Sequence, residues 1–173
     1  MIFPRKIMSR KFIEDYFEEY KKIFLYKNIP NQLLELKELL LKTKENNSKV
    51  IIAGNGGSSS IASHLSIDLT KQAKIRTINF NETNLITCFS NDFGYENWLS
   101  KSLEYYADQN DVIILISSSG KSQNIINAAR FSLQKNLKLI TFTGFDEQNP
   151  LKNLGAINFW VNSKSYNIVE NTY

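Results

Sequence analysis

The stretch VIIAGNGGSSSIASHLSIDL, residues 50–69, decides the fold of this chain. It opens on a short apolar run, Val50 to Gly54, which predicts a buried strand, and it closes on apolar residues at helical spacing. Glycines and serines stand between the two patterns, among them Gly56, Gly57 and Ser58. A strand that leads directly into a helix is the building unit of a parallel α/β sheet, so this stretch predicts an α/β protein.

A second stretch, VIILISSSGKSQNIINAA, residues 112–129, repeats the plan about sixty residues later. Open α/β sheets bind ligands at the carboxyl ends of their strands, where each following helix begins with unpaired backbone N–H groups. Glycines let the backbone approach a ligand, serine hydroxyls donate hydrogen bonds, and the helix N-terminus attracts anions. The two junctions therefore predict a phosphate site. The alternative is that the serines only cap the helices.

The rest of the chain continues the alternation of strand and helix patterns. The predicted strands cover residues 49–53, 75–79, 111–116, 137–142 and 156–161, and the predicted helices between them cover 58–69, 82–89, 95–107 and 122–135. Several strands are almost wholly apolar, which is typical of parallel strands covered on both faces. We therefore expect a five-stranded parallel sheet flanked by helices.

Two amphipathic helices are predicted before the sheet, one over residues 9–26 and one that ends near Asn46 or Asn47. Residues 1–47 thus form a predicted helical pair and residues 48–173 the α/β core of a single domain. The first helix carries a stripe of large apolar side chains. The simpler interpretation is that the stripe packs within the chain, and the alternative is that it forms a subunit interface. The stripe comprises Phe12, Ile13, Tyr16, Phe17, Tyr20, Ile23 and Phe24.

Composition narrows the class of protein further. Cys88 is the only cysteine, so no intrachain disulfide can form and a reducing compartment is expected. No apolar run reaches the length of a membrane span or resembles a signal peptide, which predicts a cytoplasmic protein that does not bind membranes. The net charge is +4, but the basic residues are scattered rather than clustered with aromatic residues, so nucleic acid is not an expected partner.

Nucleotide-binding motifs are incomplete in both junctions. A P-loop that ends at Gly120 and Lys121 would need a glycine at position 115, where Leu115 stands. The dinucleotide fingerprint matches Gly54 and Gly56, but its third glycine position holds a serine. These departures argue against an NTPase and a dehydrogenase, and no nucleotide cofactor is expected.

Four segments, GNGGSSSIASHLSIDLTK, SNDFGYENW, ISSSGKSQNIINAA and TFTGF, resemble the sugar isomerase (SIS) domain. Within that family they are most similar to the phosphoheptose isomerases, and the resemblance runs over nearly the whole chain. It implies an aldose–ketose isomerase that converts sedoheptulose 7-phosphate to glycero-manno-heptose 7-phosphate for surface-polysaccharide synthesis. It also implies a homotetramer with active sites at the subunit boundaries.

The resemblance implies substrate-binding and phosphate-binding residues in both junctions and near the end of the chain. These are Asn55, Gly56, Gly57, Ser58 and Asp92 for the sugar, Ser117, Ser118, Ser119, Gly120 and Ser122 for the phosphate, and Glu170, at a position where the family often has Gln.

His64 and Asp68 are four residues apart and so share one face of the predicted helix. A lone helical histidine is commonly a structural residue, but the resemblance implies that both residues are catalytic. The family usually has Glu at the second position, and Asp68 is one methylene shorter. Where the family binds a metal, that metal is zinc, for which His64, Asp68 and Glu170 are the candidate ligands here.

After the last strand, the family continues with a helix that supplies a further histidine. Here the sequence reads SKSYNIVENTY, so we expect that helix and its histidine to be lacking. Two hypotheses therefore stay open. One is an active phosphosugar isomerase, and the other is a non-catalytic SIS-domain protein that binds a phosphosugar or a protein partner in a regulatory role. In either case, we expect a dimer or tetramer with the N-terminal helices in its interface.

Overall fold

A computed structural model of the chain describes residues 9–24 and 29–173. The strands are Val50–Gly54 (β1), Thr77–Asn79 (β2), Val112–Ser117 (β3), Lys138–Thr143 (β4) and Ile157–Trp160 (β5). The helices are Arg10–Phe24 (α1), Ile29–Glu45 (α2), Gly57–Lys71 (α3), Thr83–Phe93 (α4), Trp98–Tyr106 (α5), Gln123–Gln134 (α6) and Tyr166–Thr172 (α7), and a 3₁₀ turn covers Lys152–Leu154.

The sheet is wholly parallel, with the strand order β2-β1-β3-β4-β5, which confirms the predicted class and strand number. The direction of winding reverses between β1 and β3, and such a switch point is where open α/β sheets bind ligands. The register pairs Gly54 at the end of β1 with Ile116 near the end of β3. The two predicted junctions therefore lie side by side at one edge of the sheet.

Helices cover both faces of the sheet because the strand side chains are apolar in both directions. All six residues of β3 are buried. Ile113 and Leu115 pack on one face in a cluster with Leu99 of α5 and Ala128 of α6. On the opposite face, the alternate residues of β3, such as Ile114, pack with side chains of α2 and α3. A fully buried Ile or Leu stabilises the fold by about 1.5–3 kcal/mol.

The apolar stripe of the first helix is divided between two environments. Ile23 is buried and Tyr16 and Tyr20 are partly buried in a cluster with Ile168 and Val169 of α7. In contrast, the outward-facing side chains are about half exposed. They are Phe12 at 50%, Ile13 at 40% and Phe17 at 58%. The side chain of Phe24 and the predicted end of the helix at residues 25–26 lie outside the described residues.

The expectation that no helix follows the last strand is wrong, since Tyr166–Thr172 form α7. Ile168 and Val169 are fully buried, and their docking against α1 stabilises a helix too short to form alone. Seven residues contain too few turns for helical periodicity to be recognised in the sequence.

Most predicted boundaries are correct to within a few residues, and one difference changes the position of a candidate site residue. Helix α4 continues to Phe93, whereas the prediction ended it at residue 89, so Asp92 lies on a helix. Strand β2 has only three residues. None of the helices in the described ranges is long and apolar enough to cross a membrane.

Candidate active site

The first loop connects β1 to α3 through Asn55 and Gly56. Gly56 has a φ of +55°, a conformation that side-chain-bearing residues rarely adopt, and its carbonyl accepts hydrogen bonds from the backbone N–H of Ser59 at 3.0 Å and of Ser60 at 3.4 Å. A Cβ on Gly54 would lie 2.7 Å from the Cβ of Ser58. The glycines therefore allow α3 to begin directly against the end of β1.

The second loop, residues 118–122, connects β3 to α6. Gly120 has a φ of +63°, and a Cβ there would lie 2.0 Å from Oδ1 of Asn149. Its N–H donates to the carbonyl of Ser117 at 2.9 Å, which closes a tight turn. Ser117 and Ser118 are buried, whereas Ser119 and Ser122 are partly exposed. The loop thus presents two hydroxyl groups toward solvent on a rigid turn.

Serine capping does not account for these loops. The N-cap residue of α3 is Gly56, which has no side chain, and the hydroxyl of Ser122, the N-cap residue of α6, accepts no hydrogen bond from an N–H of its helix. The Ser119 hydroxyl accepts a hydrogen bond from the N–H of Lys121 at 3.2 Å, within the loop. The Gly56 carbonyl takes the N–H of Ser59, but among the described residues the N–H groups that begin the two helices, such as those of Gly57 and Gln123, have no acceptor and are left for another one.

A reciprocal pair of amides joins the first loop to the beginning of α6. Nδ2 of Asn55 donates to Oδ1 of Asn124, and Nδ2 of Asn124 donates to Oδ1 of Asn55, each at 2.9 Å. The Tyr95 hydroxyl donates to the same Asn55 oxygen at 3.4 Å. Asn55 was predicted to contact the sugar, but here most of its hydrogen-bonding capacity is used to hold α6 against the first loop. Sequence reasoning missed Asn124 and Tyr95, which no local motif marks.

Glu170 of α7 reaches both loops. One carboxylate oxygen lies 3.5 Å from the Ser118 hydroxyl, and a Cβ on Gly57 would lie 2.5 Å from the other. The carboxylate therefore sits against the first residue of α3, and its role as a site residue stays a prediction. Burial raises the pKa of the adjacent Tyr173 phenol, the Ser118 hydroxyl opposes this shift, and the Glu170 charge adds to it. Tyr173 is consequently a neutral phenol beside the site.

His64 and Asp68 lie elsewhere on α3. Nε2 of His64 is 3.4 Å from Oδ2 of Asp68, and the two side chains are 82% and 48% exposed. Asp68 is eleven positions beyond Gly57, about 16 Å along the helix axis. Within one chain, the pair therefore faces solvent, and its catalytic role stays a prediction.

The three candidate zinc ligands do not meet within one chain. Among the residues in the described ranges, no three His, Cys, Asp or Glu side chains are close enough together to hold a metal ion. His64 and Asp68 form only a pair, and Glu170 lies near the other end of α3. The side chains of a single chain thus do not fit a zinc site, and no step of the chemistry is assigned to zinc.

Asp92 is an exposed residue on α4. Its carboxylate accepts hydrogen bonds from the Asn91 amide at 2.9 Å and weakly from the Cys88 thiol at 3.8 Å. These local contacts do not connect it to either loop. Tyr95, three residues later, is the side chain of this segment that reaches the first loop.

A cavity of about 810 Å³ lies beside β5, away from the two loops. Its walls come from α1, α2 and β5, with Gln32, Asn158 and Trp160 among the lining residues, and Lys152 lies 4.6 Å from the centre of the Trp160 ring. It contains none of the residues of the two loops. The chemistry of the candidate site is therefore built by the loops and α7, not by this cavity.

The strand order defines an open α/β protein whose candidate ligand site lies at the topological switch point. Two helices without N-cap side-chain bonds begin there, and such helix N-termini attract anions. The family model of the SIS domain matches residues 15–144. The chain therefore belongs to the SIS domain family, and within it to the phosphoheptose isomerase branch, to which the relatives described next belong.

A phosphoheptose isomerase from Helicobacter pylori (strain Shi470) is 34% identical over 127 residues, which are 69% of this chain and 66% of that protein. A phosphoheptose isomerase from Buchnera aphidicola subsp. Acyrthosiphon pisum (strain Tuc7) is 31% identical over 162 residues, 91% of this chain and 80% of that one. The solved phosphoheptose isomerase from Neisseria gonorrhoeae has the same fold, with a TM-score of 0.83 and 24% identity. The match covers 94% of this chain and 92% of that one. The match to the Helicobacter relative thus spans slightly less than two thirds of its length.

Proposed function

We propose that this chain is an aldose–ketose isomerase that interconverts sedoheptulose 7-phosphate and glycero-manno-heptose 7-phosphate. The observation that carries the proposal is the pair of uncapped helix N-termini, α3 and α6, at the switch point of a phosphoheptose isomerase fold. The relatives that cover much of the chain are phosphoheptose isomerases, which supports the reaction and the substrate class. The product would serve heptose synthesis for surface polysaccharides.

The second loop is the proposed phosphate site. The hydroxyls of Ser119 and Ser122 stand at the N-terminus of α6, whose dipole favours an anion. The nearby Lys121 ammonium lies 3.3 Å from the Asp146 carboxylate, so part of its charge is already compensated. Phosphate recognition would then rest mainly on hydroxyl and backbone N–H groups, each worth about 1.5–3 kcal/mol when it bonds to a charged group.

The reaction needs one proton to move between adjacent carbons. A base removes a proton from C1 of the ketose to give an enediol, and the proton returns to C2 to give the aldose. The proton on O1 is lost to water and one from water is gained at O2, so C1 is oxidised as C2 is reduced and no other reactant is consumed. A positioned carboxylate suits this task.

We infer that the catalytic pair is completed by assembly into a dimer or tetramer. Phe12, Ile13 and Phe17 of α1 leave an apolar surface that a second copy can cover. Assembly would also shield the exposed His64 and Asp68. The proposed zinc site would then combine His64 and Asp68 of one copy with Glu170 of another. The proposed compartment of the enzyme is the cytoplasm.

The exposure of the His64–Asp68 pair also supports a second candidate, a phosphosugar-binding protein without catalysis. Incubation with sedoheptulose 7-phosphate, with and without zinc, separates the two candidates when binding is measured by calorimetry and aldose formation by NMR. Binding together with turnover supports the isomerase. Binding without turnover under both conditions supports the second candidate, and absence of binding refutes both.

A further inference from the structure

We propose that the cavity beside β5 is a second ligand site, which binds a small aromatic anion independently of the two loops. Its volume of about 810 Å³ lies within the range of about 300–1,000 Å³ that is typical of small-molecule sites. None of the residues of the two loops lines it. The inference therefore goes beyond the proposed function and does not depend on it.

The apolar lining of the cavity contains stacked aromatic rings. β5 is the last strand in the sheet order, so among the described residues no further strand closes this edge. The rings of Phe142 on β4 and Phe159 on β5 are stacked, with 4.7 Å between their centres and 17° between their planes. Ile23 of α1 and Leu33 of α2 add aliphatic surface. A flat molecule with fused rings would bury its apolar surface here, which favours its binding.

A cation and an unpaired hydrogen-bond donor lie together in the wall of the cavity. Nζ of Lys152 is 4.6 Å from the centre of the Trp160 ring, and the Lys152 side chain is only 25% exposed. The indole Nε1 of Trp160 is buried and has no hydrogen-bond partner among the described residues. A buried donor without an acceptor costs stability. An anionic oxygen of the ligand would supply that acceptor and pair with the Lys152 ammonium.

The other charged groups at the cavity also favour an anion. Lys22 of α1 lines the cavity and makes no ion pair with the described residues. Glu19 is the only acid among the described lining residues, and its carboxylate accepts a hydrogen bond from the Ser163 hydroxyl at 2.7 Å. Lys152 is paired with Glu147 at 3.3 Å, but this carboxylate is 62% exposed and water weakens the pair. Two lysines thus stand against one acid in the lining.

Anilinonaphthalene sulfonate, a fluorescent probe with fused aromatic rings and one sulfonate, tests the inference on the wild-type chain. Its fluorescence should rise and saturate at one probe molecule per chain. Inorganic phosphate should not displace it, because the phosphate site is proposed at the second loop. Phenylnaphthylamine has the same rings without the sulfonate and should bind about tenfold more weakly, since it cannot pair with the lysine or accept from the indole.

Two pairs of variants locate the probe. Leu33→Trp should fill part of the cavity and weaken both probes about tenfold, whereas Leu34→Trp, at an equally exposed position of α2 outside the lining, should weaken neither. Lys152→Gln should weaken the sulfonate about tenfold and leave the neutral probe unchanged. Lys101→Gln is its matched control, because Lys101 also pairs with a glutamate, at 2.8 Å, and lies 5.4 Å from the centre of the Phe93 ring. It should change neither affinity.

The inference is overturned if the wild type does not bind the sulfonate, if phosphate displaces it, or if the neutral probe binds as tightly. Equal effects of the two leucine variants, or of the two lysine variants, would also overturn it. Light scattering tests another occupant, since a change of mass in Leu33→Trp would show that a second copy of the chain fills the cavity. Phosphate affinity should be the same in Leu33→Trp and wild type, so failure of this inference leaves the proposed function standing.

Discussion

Gly120 gives the second loop a backbone conformation that few other residues could adopt. Its φ of +63° lies in the left-handed region, and the buried Asn149 amide occupies the space where a Cβ would be, at 2.0 Å. Asn149 is itself fixed, since it accepts from the N–H of Lys152 at 2.9 Å and donates to the carbonyl of Asp146 at 2.8 Å. The turn that presents Ser119 is therefore locked by a side chain that lies about thirty residues away.

Gly120→Ala should reduce the free energy of unfolding by about 2–4 kcal/mol, because backbone strain and overpacking add. Gly56→Ala is the matched control, since Gly56 has a similar φ of +55° but nothing within 4 Å of the added methyl group. It should cost only about 1–2 kcal/mol. Urea unfolding of both variants measures the difference, and equal losses would show that the contact with Asn149 is unimportant.

Ser119→Ala/Ser122→Ala should lower the affinity for sedoheptulose 7-phosphate at least tenfold, because two hydroxyl donors to a charged group are removed at about 1.5–3 kcal/mol each. The stability should hardly change, since neither hydroxyl caps α6. Ser60→Ala, at an exposed position of α3, is the control and should leave affinity unchanged. Calorimetry that finds unaltered affinity in the double variant would place the phosphate elsewhere.

Helices and strands can be predicted from the sequence where many consecutive residues share one pattern of apolar and polar side chains. The nearly continuous apolar run of β3 correctly predicted a strand covered on both faces. Helix α7 was missed because its stability depends on Ile168 and Val169 docking onto α1, not on its own periodicity. The Asn55–Asn124 pair could not be predicted because it joins residues 69 positions apart, whose meeting depends on strand order.

The beginning of β1 is anchored to the segment before β3 by a buried ion pair. Lys49 Nζ lies 2.6 Å from the Asp111 carboxylate, which is almost fully buried and also accepts from the N–H groups of Lys49 at 2.9 Å and Asp108 at 2.8 Å. Asp111→Ala should therefore lower the unfolding free energy by about 3 kcal/mol, because it leaves two backbone N–H groups without their acceptor and removes the buried partner of Lys49, which keeps Asp108 at 2.6 Å. Lys101→Ala, which removes an exposed pair, should cost less than about 1 kcal/mol. A similar loss in the two variants, measured by urea unfolding, would contradict this account.

The same pair makes stability depend on pH. Burial disfavours the Lys49 charge, but hydrogen bonds to Asp108 and Asp111 outweigh burial and raise the pKa of Lys49 above its ordinary 10.5. A raised pKa contributes stability that is complete below the ordinary value and is lost as the pH rises through the raised one. As the pH rises through the raised pKa of Lys49, the wild type should thus lose more unfolding free energy than the Asp111→Ala variant. Parallel losses in urea titrations would exclude the pair as the cause.

For the whole molecule, the sequence predicted the class of fold and that the two loops lie side by side, but it could not predict how far apart the candidate site residues lie. The two glycine- and serine-rich loops were predicted because local composition marks them. In contrast, the wide separation of Asp68 from Glu170 depends on where α7 packs, and no pattern along the chain encodes that distance. The structure of one chain thus leaves Asp68 and Glu170 apart.

Phe12→Glu/Phe17→Glu should dissociate the proposed oligomer, because both side chains are about half exposed on α1 and charges there would oppose burial. The sequence pattern alone would also have selected Tyr20, but this residue packs toward α7 and its replacement would disturb the fold. Exposed Lys11→Glu is a control on the same helix. Light scattering should show a smaller mass for the double variant only, and a monomeric wild type would refute the assembly.

The most direct test of the proposed isomerase is the reaction in deuterated water with the wild-type chain. If a base removes a proton from C1, exchanges it with the solvent and then delivers one to C2, incubation with sedoheptulose 7-phosphate should yield the aldose 7-phosphate with deuterium at C2, seen by NMR. The Ser119→Ala/Ser122→Ala variant should form it at least tenfold more slowly at low substrate concentration. Sedoheptulose 7-phosphate that binds to the wild type and is recovered unchanged, without deuterium, would contradict the account.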